Sequence, residues 1–287
     1  MTETAFVIGT GPSLNKIDMD KLKNYDCVTF NRAYVAFEDW GFAPRYYLAI
    51  DGHDIRSMYK DLGGIIKKYK DTEFFIREDE ISNSHFPPSS FQDEDKKTSL
   101  FDWGEDNLYK LHYSAGSGFK GKGKSLSSWR DYDIPLHASP WETRSDGPGN
   151  PTEFKYVELP YYPNAGWMGV ELLYALGYKK IGFVGCDSRY KDDDESNKDI
   201  TIVADGNEYI SHADTDINHF RPDYFGKGYH FGSPNPETIV KVWEEGSKRI
   251  PEDLELFSCT PDSAVNPWYE YIDFDEYIKN DTNNKIK

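Results

Sequence analysis

At 287 residues and 33.1 kDa the chain fits one large domain, or a domain carrying an insertion, since single cores seldom grow beyond about 250–300 residues. Fifty acidic against 33 basic residues give a formal charge of −17 and a pI near 4.8, which excludes nucleic acid and anionic membrane as general partners of the surface. A mean hydropathy of −0.74, with no run approaching the ~18–20 apolar residues of a membrane span, leaves no integral membrane contact, and three cysteines without CxxC spacing behind no apolar leader point to a reducing, cytoplasmic setting.

In chain order, Thr4-Ala5-Phe6-Val7-Ile8 reads as a strand that enters the turn Gly9-Thr10-Gly11-Pro12-Ser13, followed by a polar segment of helical character from Asn15 to Asn24. Two further short strands come next, Cys27–Phe30 ending at Asn31-Arg32 and Tyr46–Ile50 ending at Asp51-Gly52. In each, an apolar run stops at a polar residue, as where parallel strands deliver side chains to a site at their carboxyl ends. Ile55 to Tyr69 is predicted as a helix and Glu73–Ile76 as a fourth strand.

From about residue 82 to 160 the pattern gives way to Pro, Ser, Gly and charge, which predicts an irregular insertion. Regularity returns with an apolar helix from Trp167 to Leu176, a C-cap at Gly177 and a buried strand Lys180–Gly185 running into Cys186-Asp187. Residues 188–235, rich in Asp, Asn, Gly and His, are predicted as a lid. Pro236 to Arg249 reads as a helix, Leu254–Ser258 as the last strand, and 279–287 as a disordered polar tail after a single 1–278 domain.

The Gly9-Thr10-Gly11-Pro12-Ser13 turn permits close backbone approach and points amides toward an anion, so it is a candidate phosphate cradle as well as a plain tight turn. It matches neither a Walker loop nor a dinucleotide fingerprint. His219 and His230 sit in a polar stretch suited to proton transfer, without the spacing of a zinc site. Asp187 could orient a ribose, hold a cation or cap a turn; the Asp192–Glu195 run reads as a solvated face; and Lys120, Lys122, Lys124 and Arg130 form a local basic cluster on a glycine-rich segment.

Taken as an ordered set, Gly9–Leu14, Phe30-Asn31-Arg32, Tyr47–Asp51, Leu176–Asp187, His219-Phe220 and Thr260-Pro261-Asp262-Ser263 resemble the bacterial sialyltransferases of glycosyltransferase family 42 and the wider group of motility accessory factors and MptE-like pyrophosphokinases. The resemblance spans residues 5 to about 265. It implies an α/β fold of Rossmann-like, GT-A-related type, a mostly parallel sheet flanked by helices with a lid-like insertion. It further implies a CMP-sugar donor and a glycan acceptor as partners, inverting transfer of a sialic, pseudaminic or Kdo-type sugar in surface polysaccharide biosynthesis, and no metal or other cofactor. On it, Gly9, Thr10, Gly11, Pro12, Ser13 and Asn31 would line the nucleotide, with Asp51, Asn164, Ala165, Gly166 and Asp187 nearby. His219 would be the general base, and Tyr190 and Tyr209 would serve the leaving phosphate.

Thr10 and Asp51 each stand where those transferases have Asn, and Asn164-Ala165-Gly166 replaces Thr-Ser-Gly. Asp51 and Asp187 are similar instead to the MptE-like group, whose carboxylates would hold Mg²⁺ on a pyrophosphate. The alternatives are therefore a Mg²⁺-dependent pyrophosphokinase and a non-catalytic nucleotide- or glycan-binding protein, and oligomeric state, a homo-oligomer included, stays open.

Overall fold

The computed structural model describes residues 4–77, 107–113, 142–145, 153–159, 163–190, 200–203, 208–232 and 235–285. Strands β1 (Thr4–Ile8), β2 (Asp26–Phe30), β3 (Tyr46–Ala49), β4 (Glu73–Arg77), β5 (Leu108–Tyr113), β6 (Glu142–Ser145), β7 (Glu153–Leu159) and β8 (Lys180–Val184) belong to one sheet, completed by β12 (Glu255–Ser258) and β13 (Glu270–Tyr271). Its order is β13-β12-β8-β1-β2-β3-β4-β5-β7-β6, every pair parallel except β6 with β7.

Parallel strands covered on both faces are apolar throughout rather than alternating, and β1 shows why: Phe6 and Ile8 enter one core while Ala5 and Val7 enter the other. On the first face lie α1 (Met19–Leu22), α2 (Phe37–Trp40), α3 (Gly52–Lys68) and α6 (Phe274–Lys285). The spacing of Ile55, Met58, Leu62 and Ile66 gives α3 the single apolar stripe that this requires. On the second lie α4 (Ala165–Ala175) and α5 (Pro236–Ser247), where Trp167 and Trp243 meet edge to face at 5.5 Å.

Three expectations change. The 82–160 stretch is not simply an insertion, because β5, β6 and β7 extend the main sheet; β5 buries only Leu108, Tyr109 and Leu111 among its described side chains, too short a run to stand out beside its polar neighbours. Within 188–235, β9 (Ile200–Val203), β10 (Glu208–Ser211) and β11 (His230–Gly232) form a second, antiparallel sheet, and Phe220 and Tyr224 are buried in the first core. That segment is therefore partly scaffold. The tail is helical to Lys285 in α6, held by Tyr25 Oη donating to Asp281 at 2.5 Å and by Tyr277 packing on Phe6 and Phe257.

Candidate functional site

The sheet grows from β1 in two directions. β2 to β7 extend one edge, and the chain then returns through α4 to place β8 on the other side of β1. Such a reversal parts the loops at the carboxyl ends of the strands and opens a crevice there. A cavity of about 300 Å³ lies at this point, framed by the ends of β1, β2, β3 and β8 and by the starts of α4 and α5.

Gly9, Thr10 and Gly11 line it, but their amides are largely spent within the fold. Gly9 N–H donates to Val184 O and Gly11 N–H to Gly185 O, both at 2.8 Å, while Pro12 has no N–H to offer. Ser13 donates its hydroxyl to Asp187 Oδ2 at 2.6 Å and its amide to the same oxygen at 3.4 Å. A carboxylate of the chain thus occupies the place predicted for a phosphate, and the chain continues as a five-residue 3₁₀ turn, Pro12–Lys16, rather than as a long helix. The glycines are demanded by packing: a Cβ on Gly9 would stand 2.3 Å from Gly185 O, and one on Gly11 2.0 Å from Asp187 Oδ2. Of its three open roles, Asp187 performs the cap.

The wall at the ends of β2 and β3 differs. Asn31 has a left-handed backbone, φ 51°, which Asn tolerates better than most residues, and its carbonyl accepts from Tyr47 Oη. Its side-chain Oδ1 is buried without a partner. Asp51 accepts the Asp54 amide at 3.3 Å and so caps α3; Asp54, one turn in, is 6% exposed, and its Oδ1 also lacks a partner. Burial, with Asp51 adding to it, holds the Asp54 carboxyl well above the ordinary aspartate range. Asn31, Asp51 and Asp54 all line the cavity.

His219 lines the same cavity. Its Nδ1 lies 2.8 Å from Asp216 Oδ2, and Asp216 is itself held by the amides of Asn218 (2.8 Å) and Phe225 (3.2 Å). Both side chains are under a tenth exposed. A carboxylate only accepts, so Nδ1 carries a proton, and in the neutral ring Nε2 is then the acceptor. The imidazole stacks on Tyr224 at 4.2 Å and 9°, with Phe225 at 4.6 Å and Tyr190 edge-on at 6.3 Å. Tyr224 is fixed in turn by Thr10 and by the Arg32 amide. Burial pushes the Tyr190 hydroxyl up to about 12, so it is a donor at neutral pH.

Asn164, Ala165 and Gly166 reach the cavity at the start of α4. Both ends of the Asn164 amide are structural, Oδ1 capping through Trp167 N–H at 3.0 Å and Nδ2 donating to Ile239 O at 3.1 Å. Pro12, Ser13 and Tyr209 do not line the cavity; Tyr209 packs on Phe231, 5.6 Å away, which does. His230 is tied through its carbonyl to Ser57 Oγ at 2.7 Å. The basic cluster at 120–130 and the 192–195 acidic run lie outside the described residues. Among the described residues no three His, Cys, Asp or Glu side chains are grouped as a metal site, and no helix is long and apolar enough to cross a membrane. The sequence reading missed Asp54, Asp216 and Tyr224. Asp216 precedes His219 by three residues, the one signal that could have found it.

No protein-family model and no curated protein matches the chain. Two solved structures are similar to it. One is a variant of the alpha-2,3/8-sialyltransferase CstII, 16% identical over 93% of this chain and 86% of that chain, with a TM-score of 0.42. The other is the MAf glycosyltransferase from Magnetospirillum magneticum AMB-1, 12% identical over 90% of this chain and 32% of that chain, also with a TM-score of 0.42.

Proposed function

We propose that the chain is a glycosyltransferase that moves an acidic sugar of sialic, pseudaminic or Kdo type from a CMP-activated donor to a glycan hydroxyl with inversion. The Asp216–His219 pair at the switch-point cavity is the observation on which this rests. His219 Nε2 takes the proton of the acceptor hydroxyl as its oxygen bonds to the anomeric carbon. The bond from that carbon to the phosphate oxygen breaks, and CMP leaves with the electron pair. Asp216 orients the ring and offsets the charge it gains, a role that suits a buried carboxylate on Nδ1. Tyr190, still protonated, donates to the departing phosphate.

With the Gly9 and Gly11 amides engaged and Asp187 beside them, the nucleotide takes most of its contacts from the remaining lining of the cavity rather than from the glycine turn. A thermal-shift screen of CMP, CDP, UDP, GDP and ATP, each with and without Mg²⁺, tests donor and metal together, because a ligand that binds the folded state raises its stability. Stabilisation by CMP without Mg²⁺, followed by CMP release from a CMP-sugar with acceptor present, is the expected result. Stabilisation by ATP and Mg²⁺ alone would replace this reading with the pyrophosphokinase.

A further inference from the structure

Resting on that reading, we propose that Asp54 is a specificity-determining residue that binds an uncharged hydroxyl of the donor sugar at the β2–β3 wall of the cavity. Its side chain is 6% exposed, lines the cavity, and leaves Oδ1 without a hydrogen bond. A buried polar atom in that state is destabilising, and the fold supplies no return for it. The helix cap is already made by Asp51, which accepts the Asp54 amide. Of the phenols that feel the Asp54 charge, Tyr47 donates to Asn31 O and Tyr224 pairs with Thr10 and the Arg32 amide, while Tyr229 Oη, like Asp54 Oδ1, makes no hydrogen bond.

The chemistry of the wall defines its occupant. The charged groups acting on Asp54 are Asp51 after β3 and Arg32 after β2, and Asp54 in turn bears on Tyr47, Tyr190, Tyr224 and Tyr229. Burial is the largest influence and Asp51 adds to it, against a smaller opposing effect of Arg32, so the carboxyl is driven toward its protonated form. In that form it presents one donor and one acceptor. Asn31 Oδ1, orphaned on the adjoining strand end, presents a second acceptor. A sugar hydroxyl both donates and accepts and fits this set, whereas a carboxylate or phosphate would face two acceptor oxygens and Asp51. The carboxylate of an acidic sugar is therefore turned from this wall toward Arg189, which lines the same cavity.

Calorimetric titration of wild type, Asp54→Ala and Asp54→Asn with CMP and with CMP-sialic acid tests the assignment. Expected are CMP affinities equal within about twofold in all three, a roughly tenfold loss for the sugar conjugate in Asp54→Ala, and recovery to within about threefold in Asp54→Asn, whose amide again offers a donor and an acceptor. Unchanged conjugate affinity in Asp54→Ala overturns the proposal, as does an equal loss for CMP and conjugate. Should Asp54→Ala fail to fold, Asp54→Leu fills the volume without either hydrogen-bonding function and is read the same way. If the screen selects another nucleotide, that nucleotide and its sugar conjugate are the pair used, and the CMP assignment falls while Asp54 is still judged. No binding by any nucleotide or conjugate overturns both.

Discussion

Two walls of one cavity meet their hydrogen-bonding obligations in opposite ways. At the β1 turn the Gly9 and Gly11 amides are bonded to the end of β8 and Ser13 is held by Asp187. At the ends of β2 and β3, Asn31 and Asp54 each keep a buried oxygen unpaired, and Asn31 adds a left-handed backbone. A wall that satisfies itself adds rigidity to the crevice; a wall that leaves polar atoms orphaned gains most when something else binds there. Changes at the first should therefore cost stability, and changes at the second or at the dyad should cost function.

The largest expected effect tests the functional side. His219→Ala should lower turnover about 10²–10⁴-fold, the usual scale of a general base, while nucleotide binding stays near wild type and the melting temperature falls because buried Asp216 loses its Nδ1 partner. Asp216→Asn should lower turnover less, since the ring remains stacked on Tyr224 at 4.2 Å but loses its anionic partner. Rates of CMP release, measured beside thermal melts, check both. Turnover that survived in His219→Ala would remove the base from the mechanism.

The self-satisfied wall is broken by adding a methyl group. Gly9→Ala places a Cβ 2.3 Å from a backbone carbonyl that the sheet holds in place, so a loss of about 1–3 kcal/mol in unfolding free energy is expected. Gly11→Ala meets instead the Asp187 carboxylate, 2.0 Å away, which is able to rotate off Ser13. The comparison is sharpened by a double-mutant cycle: Gly11→Ala should cost less in an Asp187→Ala background than in wild type, because the carboxylate has gone and only the Cβ at 187, 2.9 Å away, remains in the way. Additive costs in denaturant titrations would show that Asp187 is not what Gly11 makes room for.

The fold was largely legible because parallel strands buried on both faces are written as compact apolar runs; β1, β3, β8 and α3 fall where their patterns place them. β5 and β7 were not, since their pairing is decided by the free edge of β4 rather than by their own short patterns. In the site, the sequence order brought Gly9, Asn31, Asp51, Asp187 and His219 to one cavity. It did not tell which polar atoms would be spent. That Asp187 serves Ser13, that Asn164 caps α4 and that Asp54 is left unpaired are outcomes of three-dimensional pairing, and residue type alone carries no trace of them.

The smallest effects contrast two buried carboxyls. Glu171, inside α4, accepts from Trp167 Nε1 at 2.9 Å, and burial lifts it to about 8; Asp54 is lifted by burial and Asp51 and has no partner on Oδ1. Both pKa values are higher in the folded than in the unfolded chain, so folding binds protons. The stability involved is fully present below the unfolded values and is lost as pH rises, for Glu171 between about 4.5 and 8. Asp54→Asn and Glu171→Gln should each flatten the fall in melting temperature between pH 5 and pH 8, by about 2–4 °C for each kcal/mol recovered. The two should part when the sugar nucleotide is added. The ligand satisfies Asp54 and leaves Glu171 untouched, so the advantage of Asp54→Asn at pH 8 shrinks while that of Glu171→Gln persists. Parallel melts at both pH values, with and without ligand, read the difference; equal behaviour of the two variants would mean that Asp54, like Glu171, belongs to the scaffold.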